Sequence, residues 1–333
     1  MNDGEREYTQ PMGLDIGTSR IVVARTREGK QEYASLLNGF LTLPYSKLTQ
    51  SLLQRENVMH EVEGAEIVVE GNDAEKFAEI FHTETRRPMR HGVLNAAEPH
   101  SLAVVRRLVT RLLGRAAVNG QKVHFSVPAP GDGVEGALPY HEASIRQILA
   151  ELGYAATPIE EGLAVVYGEM PASNFSGLGI SCGSGLCNVC LAMLSVPLLS
   201  FSVPKAGDYI DTQAAQVTGD RAHRLRVLKE GDFQLNGFSA DRVHNALSVY
   251  HHDVIAGLVA SLRTHVAAAR TLPRFEQSIP LVLCGGTAMP RGFLEHFTKA
   301  LRSEDFPLRL SEVRVSDDPL HATARGALMA ALC

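Results

Sequence analysis

Two glycine-rich stretches about half the chain apart carry the same pattern, GLDIGTSRIVVA at residues 13–24 and GISCGSGLCNVC at residues 179–190. Each reads as glycine, an aliphatic residue, Asp or Ser, an apolar residue, glycine, and Thr or Ser, followed by a second strand-like run. We interpret each stretch as a strand, a tight turn and a second strand, because glycine and small hydroxyl residues interrupt the apolar runs. Either turn alone would also suit an ordinary hairpin, but the repeat predicts two halves that share one fold.

A third glycine motif, LVLCGGTAMPRG, occupies residues 281–292. Its apolar run predicts a buried strand that ends at Gly285 and Gly286 and is followed by a helix. A backbone without Cβ atoms lets a flat ring or a phosphate approach closely, and consecutive N–H groups in the two earlier turns can hold an anion. The three motifs together indicate a site for a ligand that carries phosphate.

Between these motifs, predicted strands alternate with predicted helices, which is typical of an α/β protein. The chain has 333 residues, of which 45% are hydrophobic, and a formal net charge of −5. This size allows two domains, and the charge does not indicate a basic nucleic-acid surface. No apolar run is long enough to span a membrane, and the opening MNDGEREYTQ resembles neither a signal peptide nor an amphipathic anchor. We therefore expect a cytoplasmic protein without a direct membrane anchor.

Three cysteines in the second motif, Cys182, Cys187 and Cys190, have a C-x4-C-x2-C spacing that also occurs in iron–sulfur proteins. Cys187 and Cys190 differ by three positions in a predicted strand, so their side chains should face opposite sides of the sheet. Thiolates on opposite sides cannot hold one cluster. We therefore predict that the five cysteines of the chain are reduced, buried thiols.

Further segments complete a family pattern in chain order. VHFSVPAP and IEEGLAVVYG precede the second hairpin, KAGDYID follows it, and VSDDPLHATARGAL lies after the third motif. With the three glycine motifs, their order and spacing resemble the actin, sugar-kinase and heat-shock-chaperone ATPase superfamily. The nearest resemblance is to the MreB and MamK group of bacterial actins, whose small inserted subdomain is also similar to EGNDAEKFAEIF and RPMRHGVL.

The resemblance implies a duplicated actin-like fold of the ribonuclease H-like type, with two α/β domains around a nucleotide cleft. It assigns residues 10–158 and 319–333 to the first domain, with a small inserted subdomain near 31–92. Residues 159–318 would form the second domain, with a reduced small subdomain near 213–245.

The resemblance also implies the residues of a nucleotide site. Asp15 would hold a magnesium ion between the nucleotide phosphates, and Glu161 would position the attacking water. Contacts to the phosphates, the sugar and the adenosine would come from Gly17, Thr18, Ser19, Gly183, Ser184, Gly185, Gly207, Asp208, Gly285, Gly286 and Thr287. The expected ligands are therefore ATP or ADP with magnesium.

Several positions depart from the family pattern. Ser181 stands where MreB-like proteins have an Asp, which removes a carboxylate and predicts slow or absent hydrolysis. Arg224 and Val227 occupy the expected positions of the Glu and Lys that contact ribose, so adenine and guanine stay open as alternatives. The chain over 229–241 is also shorter than in MreB.

The function that this resemblance implies is an ATP-binding cytoskeletal protein that assembles head to tail into filaments and hydrolyses ATP slowly. One alternative is a non-polymerising nucleotide-binding scaffold of the pilus-assembly or division type, with a partner protein docked on one subdomain. Another is a phosphotransferase similar to sugar kinases, although no convincing acidic residue to serve as the catalytic base, and no substrate loop, accompanies the nucleotide motifs.

Overall fold

The structure is a computed structural model that describes residues 10–131, 134–236, 239–269, 272–273, 275, 277–302 and 306–333. Each half of the chain contains a five-stranded sheet with helices packed around it. In chain order, the first half comprises β1 (Met12–Ile16), β2 (Arg20–Arg27), β3 (Lys30–Leu37), β4 (Phe40–Pro44), α1 (Lys47–Arg55), β5 (His60–Glu63), β6 (Glu66–Glu70), α2 (Asn72–Ile80), β7 (Met89–Arg90), β8 (Val93–Leu94), α3 (Ser101–Leu113), β9 (Gln121–Val127), α4 (Leu138–Glu151) and β10 (Tyr154–Glu160). The second half comprises α5 (Glu161–Glu169), β11 (Gly177–Cys182), β12 (Cys187–Met193), β13 (Val196–Val203), α6 (Gly207–Thr218), α7 (Ala222–Glu230), α8 (Arg242–Ala268), β14 (Ile279–Cys284), α9 (Phe293–Arg302), β15 (Leu310–Val315) and α10 (Ala322–Leu332).

The two large sheets have the same topology. Their strand orders are β3-β2-β1-β9-β10 and β13-β12-β11-β14-β15. In each sheet, three antiparallel strands form a meander, and two parallel strands extend from the first strand of that meander. The glycine motifs supply β1 with β2 and β11 with β12, so the strand, turn and strand predicted for each are present. The prediction of a duplicated α/β fold is confirmed.

Each large sheet has its own core. In the first half, α3 buries Val104, Val105 and Leu108 against the sheet, at the spacing of an amphipathic helix. In the second half, the long helix α8 buries Leu258 and Leu262 in the same way. Each half therefore has its own hydrophobic core. The glycine turns lie at the ends of the two sheets, between these cores.

Helices α5 and α10 pack against each other between the two sheets, where small residues allow close approach. An added Cβ at Gly326 of α10 would lie 1.7 Å from the carbonyl oxygen of Ala164 in α5. One at Gly13 of β1 would lie 2.2 Å from the carbonyl oxygen of Ala324. No side chain fits into either space. Because α10 packs on the first large sheet and α5 on the second, these glycines set the distance between the two sheets.

A smaller sheet is inserted in the first half, with strand order β4-β6-β5 and with α1 and α2 nearby. It begins at Phe40, because the strand over Lys30–Leu37 extends the first large sheet. In the second half, α7 follows α6 and faces this insertion. Within the described part of the chain, no helix is both long and apolar enough to cross a membrane.

Candidate functional site

The turns of the two glycine hairpins close with equivalent hydrogen bonds. In the first turn, the amide of Gly17 donates to the carbonyl oxygen of Arg20 (2.9 Å). In the second, the amide of Gly183 donates to the carbonyl oxygen of Leu186 (2.9 Å). Both turns therefore present short loops of small residues at the same place in their sheets, as the sequence repeat predicts.

The two turns also lie against each other. An added Cβ at Gly185 would lie 2.4 Å from the Oγ1 atom of Thr18 in the opposite turn. The same Thr18 oxygen accepts a hydrogen bond from the amide of Gly92 (3.0 Å). Glycine is therefore required at 185 for the halves to approach this closely.

A cavity of about 490 Å³ between the halves is bounded by all three glycine motifs. The predicted site residues that line it are Asp15, Gly17, Thr18, Ser19, Glu161, Gly183, Ser184, Gly185, Gly207, Gly285, Gly286 and Thr287. The Oγ1 atom of Thr287 donates to the carbonyl oxygen of Gly183 (2.7 Å), which joins the third motif to the second hairpin. The hydroxyl of Ser184 is buried and has no hydrogen-bond partner among the described residues. Such a group is available to a ligand oxygen.

Asp208 is a predicted site residue that does not line this cavity. Helix α6 begins at Gly207, and successive side chains on a helix point about 100° apart. Asp208 consequently faces a second cavity of about 550 Å³, which Arg87 also lines. Its backbone amide donates to the carbonyl oxygen of Ser184 (2.7 Å). Asp208 therefore lies beside the second hairpin through its backbone, while its side chain faces the second cavity.

Asp15 and Glu161 bring two carboxyl groups into the cavity. The hydroxyl of Ser126 donates to Oδ1 of Asp15 (2.7 Å), and that of Ser181 donates to Oε2 of Glu161 (2.9 Å). Burial raises the pKa of Glu161 to about 8, and the charge of Asp15 adds to that rise. Burial also raises the pKa of Asp15 to about 6, against the effect of the Ser126 hydrogen bond. A cation beside the pair would favour the ionised forms.

The carboxyl groups of Asp15 and Glu161 suit magnesium better than a metal ion whose ligands all come from the protein. Among the described residues, no group of three or more His, Cys, Asp or Glu side chains is arranged to hold a metal ion. Magnesium, however, is commonly held by one or two carboxylates together with waters and substrate phosphates. Asp15 and Glu161 beside the glycine turns meet that requirement.

Helix α7 supplies a wall of the cavity that the sequence did not predict. Arg226, Lys229 and Glu230 line the cavity from this helix. The Nζ atom of Lys229 forms an ion pair with Oδ1 of Asp211 (2.7 Å) and donates to the carbonyl oxygen of Gly207 (2.9 Å). Both partners of this ion pair are buried, so a positive charge is held beside the second hairpin.

The two residues expected at the ribose, Arg224 and Val227, do not line the cavity. Arg224 pairs with Asp220 on the surface (3.1 Å), and Val227 is half exposed. The cavity-facing residues of α7 are spaced i, i+3 and i+4, which is the periodicity of one helix face. The sequence contains this spacing, but it identifies the cavity-facing side of α7 only when the first residue of the helix is known.

The cysteines are distributed as the strand period predicts. Cys182 and Cys187 pack in the core of the second half, whereas Cys190 and Cys284 pack on the opposite side of the same sheet against α5. Burial raises the pKa of Cys190 to about 12, so its thiol stays protonated. Cys333 is exposed, so the prediction that all five cysteines are buried is wrong for this residue.

Two halves of identical sheet topology around a cleft lined by glycine turns define an actin-like protein. The sequence model of the Volactin family matches residues 11–331, and the chain belongs to that family. No curated protein matches the chain.

Solved structures with this fold cover nearly the whole chain. MamK in a double helical filament is 20% identical over 96% of this chain and 98% of its own, with a TM-score of 0.74. MreB5 of Spiroplasma citri bound to AMPPNP is 13% identical over 95% of this chain and 94% of its own, with a TM-score of 0.67. The ethanolamine utilization protein EutJ from Carboxydothermus hydrogenoformans is 18% identical over 96% and 89%, with a TM-score of 0.56. At these identities the likeness establishes the actin-like fold.

Proposed function

We propose that the protein binds ATP or ADP with magnesium in the cleft between its halves. The observation that carries this proposal is the convergence of three glycine motifs on one cavity, beside the unpartnered hydroxyl of Ser184. Structures of the same fold support it, since a MamK variant and MreB5 are bound to AMPPNP, and MreB5 also to ADP.

Each wall of the cavity has a part in this proposal. The two turns donate backbone N–H groups to the phosphates from opposite sides, because small residues leave those groups accessible. Asp15 holds the magnesium ion, which neutralises phosphate charge when bound. Gly285 allows the third motif to approach the Cys182 backbone, and Gly286, where an added Cβ would have no atom closer than 3.8 Å, leaves space for the adenosine. Lys229 and Glu230 approach the sugar from α7.

We further propose that the protein is a slow ATPase. Glu161 accepts a hydrogen bond from Ser181, and in its ionised form it can orient a water molecule toward the terminal phosphate. Because Ser181 is neutral, it supplies no charge to hold magnesium or to polarise that water. Hydrolysis is therefore slower than in relatives with an acidic residue at this position.

The proposal includes assembly into head-to-tail filaments in the cytoplasm, with nucleotide state biasing assembly. It is supported by the similarity of the whole chain to MamK in a filament. The non-polymerising scaffold is the alternative that an assembly measurement decides.

Thermal unfolding with and without nucleotide tests the proposed nucleotide binding. A ligand that binds only the folded state at 100 times its dissociation constant stabilises it by about 2.7 kcal/mol. For a chain of this length, that corresponds to a rise in Tm of about 4 °C. We expect this rise with ATP and magnesium, and a smaller one for Asp15→Ala. Absence of a shift with any purine nucleotide, while a control ATPase shifts, would refute nucleotide binding.

A further inference from the structure

The two halves touch across the cleft along a seam between α2 of the first half and α7 of the second. The guanidinium of Arg226 forms an ion pair with Oε1 of Glu75 and also lies 3.0 Å from Nδ1 of His223. Next to it, Nη1 of Arg221 donates to the carbonyl oxygen of His82 (3.0 Å). These two polar contacts of the seam, found among the described residues, are both formed by residues far apart in sequence.

Arg226 occupies a special place in this seam. Its side chain is only 5% exposed, and it lines both the glycine-bounded cavity and the second cavity. Glu230, on the same helix, lies 4.0 Å away, and Asp211, which is paired with Lys229, also interacts with the guanidinium. A buried guanidinium needs a nearby counter-charge, because desolvation penalises an unpaired ion. Glu75 supplies that charge from the opposite half, so separating the halves breaks the pair.

We infer that the ion pair between Arg226 and Glu75 is a clasp that holds the cleft closed and sets the rate at which nucleotide leaves it. The inference rests on the proposed nucleotide binding. Helix α7 carries both Arg226 and the cavity residues Lys229 and Glu230, so release of the clasp lets this wall move away from the phosphate turns. Helix α10 packs on the first large sheet and α5 on the second, so their close contact joins the two sheets away from the seam and leaves the seam as the side that opens.

The test replaces Glu75 with Gln, which keeps the shape of the side chain and removes its charge. Glu75 does not line the glycine-bounded cavity, so the substitution does not remove a ligand contact. We expect the dissociation rate of a fluorescent ATP analogue, chased with excess ATP, to rise about tenfold, which corresponds to about 1.4 kcal/mol.

Matched variants separate the clasp from a general change of charge. Glu79→Gln removes a charge from the exposed face of the same helix and should release nucleotide at the wild-type rate. Arg221→Met removes the second contact and should speed release, whereas Arg224→Met, on the exposed face of α7, should not. Equal release rates for Glu75→Gln and Glu79→Gln would overturn the inference.

Hydrogen exchange measured without nucleotide tests the clasp independently of the proposed nucleotide binding. If the clasp closes the cleft, amides of the turns at 17–19 and 183–185 should exchange faster in Glu75→Gln than in the wild type. Unchanged exchange there would overturn the clasp whether or not nucleotide binds. Faster exchange in a protein that binds no nucleotide would support the closure and refute only the proposed function.

Discussion

Ser181 is a residue at which the site departs from its resemblance to MreB-like proteins. Its hydroxyl donates to Glu161, which lies in the same cavity as Asp15. A hydroxyl can satisfy a buried carboxyl group whether that group is protonated or ionised, whereas an Asp at 181 would repel the other two acids. The serine therefore lets the cavity stay stable without a metal ion, at the expense of charge that would hold magnesium.

This argument predicts opposite effects of Ser181→Asp on stability and activity. Without a divalent ion, we expect the free energy of unfolding to fall by about 1–3 kcal/mol, because a third buried carboxyl group joins the pair. With magnesium and ATP, phosphate release should be faster than in the wild type. Ser181→Asn introduces a side chain of the same size as Asp but without its charge, and serves as the control. If the Asp variant releases phosphate no faster than the Asn variant, charge at 181 does not limit hydrolysis.

The raised pKa of Glu161 predicts how stability without metal depends on pH. Since the folded-state pKa of about 8 exceeds the ordinary value of 4.5, the contribution of this group is fully present below pH 4.5 and is lost as pH rises through about 8. Glu161→Gln should remove this dependence. Wild type should therefore lose stability relative to the variant between about pH 5 and about pH 8, by at most about 1.4 kcal/mol per pH unit.

Urea unfolding of both proteins across that pH range measures the difference. Glu160→Gln, in the neighbouring position at the end of β10, is the matched control and should follow the wild type. A difference between wild type and Glu161→Gln that does not vary with pH would show that burial does not hold this carboxyl group protonated.

Among the secondary-structure elements, α5 and α10 approach each other closely because residue 326 is a glycine. Gly326→Ala would bring a methyl group onto the Ala164 carbonyl, so we expect a loss of about 1–3 kcal/mol in the free energy of unfolding. Gly257 is also in a helix, but its nearest neighbour would be Cδ of Lys205 at 3.5 Å, an ordinary contact. Gly257→Ala should therefore stabilise α8 by about 0.5–1 kcal/mol. Denaturant unfolding of the two variants tests this contrast, which would fail if both changed stability in the same direction.

Elements whose signals are local were predictable from the sequence. The hairpins at Gly17 and Gly183 and the strand before Gly285 follow from apolar runs broken by glycine, and their repetition predicted the duplicated fold. The face of a helix was harder to predict, because an error of one residue at its start turns the face by about 100°. Asp208 illustrates this, because its side chain faces the second cavity and not the one bounded by the glycine motifs.

At the scale of the molecule, contacts between distant segments could not be predicted. Glu75 and Arg226 meet only because the inserted sheet and α7 face each other across the cleft. Glu75 lies in a segment that resembles the family and Arg226 in none of the quoted motifs, but each would pass for a solvated charge on its own helix. The two large sheets are symmetric, but these insertions are not, so the two sides of the cleft differ in shape and charge.

That asymmetry bears on assembly, the last prediction. A head-to-tail contact joins two different surfaces, so it does not close and propagates as a filament. If nucleotide closes the cleft and the closed form assembles better, ATP should lower the concentration needed for assembly by thermodynamic linkage. We expect wild type with ATP and magnesium to sediment above a threshold concentration and to show paired or bundled filaments by negative-stain electron microscopy. Asp15→Ala, which lacks the carboxylate proposed to hold magnesium, should stay in the supernatant at the same concentration. A protein that binds ATP but stays monomeric throughout a concentration series would exclude the filament and favour the scaffold alternative.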